Sequence, residues 1–94
     1  MTTQEKCNLM AIVVATTENV QDCTKTVINL RRLSEFIEDE RSKKVVDELG
    51  KILSNIVDNC GFIAAVCKTM AIDGKSDVDS IMKTLAKIKE DTKV

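Results

Sequence analysis

Cys7, Cys23, Cys60 and Cys67 are the side chains best suited to chemistry in this chain. They could pair as disulfides or, as thiolates, hold a metal. Cys60 and Cys67 stand seven residues apart, which places them on one face of a helix. If the chain turns near residue 40, equal rise along two antiparallel arms brings Cys23 near Cys60 and Cys7 near Cys67. Cross-helix disulfides and a thiolate metal site are both conceivable on that geometry. Against them, no CxxC pair occurs and the sequence contains no histidine, the usual co-ligand of a zinc site. Cys23, Cys60 and Cys67 also fall within apolar stripes, where a free cysteine behaves as a small hydrophobe. The expectation is therefore buried, inert thiols, with no cofactor and no metal.

Other chemistry is less well supplied. Without histidine or tyrosine, acid–base work would fall to carboxylates and lysines, and no pair of them stands in an apolar setting. Thr16, Thr17, Thr24 and Thr26 have no activating base nearby in the pattern. Thr16 and Ser34 are expected to bond back to the preceding helical turn. No catalytic residue is assigned, and the chain is read as a non-enzyme.

Two basic groups could touch phosphate. Arg31, Arg32, Arg41, Lys43 and Lys44 gather around residue 40, and Lys83, Lys87, Lys89 and Lys93 line the tail. The first group is interleaved with Glu35, Glu38, Asp39, Glu40, Asp47 and Glu48, and aromatics for base stacking are nearly absent. Mixed charge of this kind is the normal state of a solvated helix face. Those five residues are retained as candidate anion contacts, and nucleic acid is not an expected partner.

The elements that must position these residues are helices. The 94 residues include no proline and three glycines, so the two main helix breakers are scarce. Phe36 and Phe62 are the only aromatics, and packing falls to Val, Ile, Leu, Met and Ala. Thr2 with Glu5 forms a capping box that opens a first helix, about 3–38. Its stripe runs Leu9, Val13, Val20, Cys23, Val27, Leu30 and Ile37. The second helix, about 42–72, carries an unbroken 3,4 repeat: Val46, Leu49, Leu53, Ile56, Cys60, Ile63, Cys67 and Met70. Val45, Ile52 and Val66 widen that seam on one side, and Val57, Ala64 and Ala71 on the other.

The two stripes are out of phase. Extending the first by heptads from Ile37 lands on Arg41, Lys44 and Glu48, all charged. A turn near residue 40, with Asp39 or Ser42 capping the next helix, resolves the mismatch. Asp73-Gly74 reads as a helix stop, and Ser76 is expected to cap a third helix, about 76–91. Its apolar face is Val78, Ile81, Met82, Leu85 and Ile88. The chain is thus read as one all-α domain over residues 1–94: a long antiparallel helical hairpin plus a short third helix.

A hairpin with a half-length third helix cannot cover its own apolar surface. Assembly into a multi-helix bundle, as a homodimer or small oligomer, is the expected remedy. Cys60–Ile72 is apolar nearly all round, and Phe62, Ala65, Thr69 and Ile72 are chosen as the intermolecular surface, with cover by the third helix the alternative for Phe62. The functional expectation is a regulatory, adaptor, inhibitor or chaperone-like interaction protein that partners itself and another protein. The alternatives are a small-ligand-binding bundle and, behind it, a nucleic-acid-binding accessory protein. The Leu9–Ala15 run is short for a secretory signal, and no run reaches the ~18 apolar residues of a membrane span. A cytoplasmic protein without a membrane role is expected.

Overall fold

The computed structural model describes residues 1–91. The protein is all-α, with α1 (Thr3–Phe36), α2 (Glu40–Lys68) continued by a π-helical turn (Thr69–Asp73), and α3 (Val78–Asp91). No strand occurs among the described residues. Lys93 of the basic tail lies outside them.

Each boundary has a local cause. The Thr2 hydroxyl accepts the Glu5 amide at 3.1 Å and lies 3.1 Å from the Glu5 carboxylate, satisfying a donor that a helix start leaves free. α1 stops where Ile37 turns extended, and Asp39 caps α2, its carboxylate accepting the Ser42 amide at 3.1 Å and the Ser42 hydroxyl at 2.6 Å. Of the two residues expected to cap α2, Asp39 does so. Gly74 closes the π turn in the left-handed region at φ 63°, a conformation that glycine adopts without a Cβ penalty. The cap of α3 is Asp77, whose carboxylate accepts the Ser80 amide at 3.0 Å. Ser76 had been expected there. The helix starts one residue later because Asp77 offers its oxygen at the spacing the first free amides require.

α1 and α2 pack along one another. Beside the link, the Ser34 hydroxyl reaches Asp47 Oδ1 at 3.0 Å. At the far end, Met1 and Lys6 share a cleft with Met70–Ser76. Ser34 thus spends its hydroxyl across the pair and not on its own preceding turn, whereas Thr16 does bond back, to the Ile12 carbonyl at 2.7 Å. On α1 the buried residues are Val13, Val20, Val27 and Ser34, a strict heptad, as expected of a long helix seated against one neighbour. α3 lies against the last third of α2, where Ile81, Leu85 and Ile88 close over Ala64 and Ala65. The molecule measures 55 × 24 × 19 Å.

Candidate functional site

α2 buries small residues and leaves several of its large ones exposed. Gly61, Ala64 and Ala65 are its buried residues. None of the eight residues of the expected seam is buried: Leu49, Ile56 and Ile63 are exposed, and Val46, Leu53, Cys60, Cys67 and Met70 only half-buried. The reason is geometric. Ala64 and Ala65 lie under Ile81, Leu85 and Ile88 of α3, and a Cβ on Gly61 would make ordinary contact with Leu85 Cδ1 at 3.6 Å.

The displaced row forms a continuous face. At 3.6 residues per turn, Val45, Leu49, Ile52, Ile56 and Ile63 fall within an arc of about 60°. The buried Gly61, Ala64 and Ala65 lie about 140° round the same helix. Leu49 is 47% exposed, Ile52 55% and Ile63 45%. α1 adds Ile12 and Leu33, 43% and 50% exposed, with Cys23 and Leu30 half-buried between them. Ile12 and Leu33 sit about 100° from the buried heptad, on the side away from Thr17 and Gln21. Those two residues mark the side that α3 takes, since they share a cleft with Ile88 and Asp91. The face is therefore built from both long helices and lies opposite α3. No charged residue falls within it between Leu9 and Ile37 on α1, or between Val45 and Met70 on α2.

The four residues chosen from the sequence as an interaction surface are not gathered on one open face. Ala65 and Thr69 are fully buried under α3 of the same chain. The Thr69 hydroxyl lies 2.8 Å from both the Ala65 carbonyl and Thr84 Oγ1. Phe62 and Ile72 are exposed, and so is Phe36, at 83% the most exposed large hydrophobic among the described residues. Neither aromatic contributes to the core. Ile12, Leu33 and Phe36 were missed by sequence reasoning. A charge-free sector beside the chosen α1 stripe (Ile12, Ala15, Asn19, Thr26, Leu33) was the available signal for the first two.

Arg31, Arg32, Arg41, Lys43 and Lys44 are all exposed. Arg31 borders an open cleft of about 280 Å³ that Asp47, Gly50 and Lys51 also line, so cation and carboxylate face the same space. The other four do not border it. All four cysteines are free: Cys7 is exposed and the others half-buried. Cys23, Cys60 and Cys67 are half-buried and not buried as expected, because each sits at the edge of the side that its helix, α1 or α2, turns outward. Among the described residues no group of three metal-ligating side chains converges.

The hydroxyls of Thr16, Thr24 and Thr26 are each bonded to a carbonyl one turn back. Asp39 and Asp77 are held below their ordinary carboxylate range. For Asp39 the Ser42 hydroxyl is the main cause, and for Asp77 the Ser80 amide. These are helix caps that stabilise the ionised form by hydrogen bonding.

Glu40–Asp73 is long and apolar enough, by length and composition, to cross a membrane. Its 18-residue window has a mean hydropathy of 1.2, and 17% of that window is buried. This departs from the expectation that no segment approached such a span. Counting unbroken apolar runs passes over a window diluted by as few as two charges. Comparison with protein-family models, curated proteins and solved structures finds no match to the chain.

Proposed function

We propose that this is a non-enzymatic helical interaction protein of regulatory, adaptor, inhibitor or chaperone-like kind, whose helical hairpin works as a homo-oligomer. The observation that carries this reading is the outward row Leu49, Ile52, Ile56 and Ile63, uncovered within its own chain. Soluble monomers rarely expose contiguous apolar patches beyond a few hundred Å². Contact with another chain removes that surface from water, and a bundle of long helices does so with the side chains already in place. Insertion of α2 in a bilayer is the less economical way to cover the row. It would carry Asp58 and Lys68 into lipid, at about 3 kcal/mol for each charge near mid-span.

Mass in solution tests the reading. Sedimentation with interference optics suits a chain that has no Trp or Tyr. The expected result is a species of at least twice the 10.4 kDa chain mass, stable to dilution into the low micromolar range. A 10.4 kDa monomer at all concentrations would remove self-association from the proposal.

A further inference from the structure

We infer that the face opposite α3 is covered by the same face of a second copy, giving a core of four long helices in two layers with both α3 helices outside. This rests on the interaction reading above and assigns the partner and the surface.

Surface area points to a macromolecular occupant of this size. The chain exposes 6730 Å², whereas a compact monomer of its mass exposes about 5,400 Å². The excess, about 1,300 Å², is larger than the ~800 Å² that each partner contributes to a standard stable interface.

Several features of the face select an identical chain over a short peptide. The face extends along both long helices of a molecule 55 Å in length, so a short segment would leave most of it wet. It carries no charge, so bringing two identical surfaces together opposes no like charges, as a two-fold interface requires. On α2, Val45, Leu49, Ile52 and Ile56 stand at 3,4 spacing, the pattern that interdigitates between helical layers. Nothing in α3 blocks the approach, because α3 occupies the other side. Ile56 lies near the middle of the α2 row.

Isotope-filtered NOE spectroscopy on a mixture of labelled and unlabelled wild-type chains reads the contact directly. Intermolecular signals are expected at the methyls of Ile12, Ile52, Ile56 and Ile63, and none at Ile72 or Ile81. In parallel, Ile56→Glu should weaken self-association on the order of 100-fold, as burying an unpaired charge does. Because Ile56 is 40% exposed in the single chain, that variant should remain helical as a monomer. If it unfolds, the wild-type NOE result decides alone. A dimer whose intermolecular signals fall on Phe62, Ile72 or α3 would overturn this assignment and leave self-association standing. A monomeric wild type would overturn both, and a monomer that partitions onto phosphatidylcholine–phosphatidylglycerol vesicles would replace both with a membrane surface.

Discussion

The hydroxyls of Thr69 and Thr84 lie 2.8 Å apart and join the π-helical turn at the end of α2 to α3. Thr69 is fully buried, and its neighbour Thr84 also reaches the Ser80 carbonyl at 3.1 Å. Each hydroxyl has one proton, so the two share a chain of donors ending on backbone carbonyls. Thr69→Val keeps the shape and removes the link, and should cost about 1 kcal/mol. Thr69→Leu adds volume where there is none and should cost more, roughly 1–3 kcal/mol. Urea midpoints give both values, and faster proteolysis after Lys75 would show that α3 has loosened.

The three glycines should respond differently to alanine. At Gly50 a Cβ meets nothing within 4 Å, and at Gly61 it makes ordinary contact with Leu85 Cδ1 at 3.6 Å. Both lie inside α2, so each Gly→Ala change should stabilise by up to about 1 kcal/mol through helix propensity. Gly74 is at φ +63°, where a Cβ is strained, and Gly74→Ala should destabilise by about 1 kcal/mol. Thermal unfolding of the three variants side by side checks the order; a stabilised Gly74→Ala would contradict the left-handed cap.

Leu85 belongs to the cluster that seats α3 on Ala64 and Ala65. Leu85→Ala should cost about 3 kcal/mol, the usual range for a buried leucine. The assembly state should nevertheless be unchanged, because α3 lies away from the proposed interface. Ile56→Glu should do the reverse, with loss of assembly. Sedimentation and urea unfolding of both variants separate the two roles.

Acid should weaken the helix starts. The folded pKa values of Asp39 and Asp77 lie below their ordinary value near 3.8, so folding favours the charged carboxylate. A group depressed on folding contributes fully above its unfolded pKa, and that contribution is lost as pH falls through the folded value. The loss should therefore begin below about pH 4 and leave the range above pH 6 flat. Asp39→Asn, which keeps an acceptor but cannot ionise, should flatten this acid limb. Urea midpoints from pH 2 to 6 report the slope, and an unchanged limb in Asp39→Asn would show that other groups set it.

Helical class and several boundaries were legible because they are decided locally. Thr2, Asp39 and Gly74 act within a turn of themselves, and scarce breakers leave long helices. The inward face of α2 was only partly legible: Ala64 flanks the expected seam, but hydrophobic periodicity centres the stripe on the largest side chains and passes over Gly61 and Ala65. Here Gly61, Ala64 and Ala65 are buried because α3 docks over them, and Leu49, Ile52, Ile56 and Ile63 remain exposed. Where a third helix docks is not encoded in any single segment. The same error placed Ala65 and Thr69 on an open surface, although α3 covers them.

Small-angle X-ray scattering tests the central claim most directly, since it gives mass and shape together. The single chain has a Cα radius of gyration of 16.3 Å. Two copies joined through the face opposite α3 should double the mass while raising the radius only to about 18 Å, because packed helical layers lie ~10 Å apart. A doubled mass with a radius near 30 Å would mean that the copies meet end to end, and an unchanged mass would mean that the row from Val45 to Ile63 is not covered by a second copy.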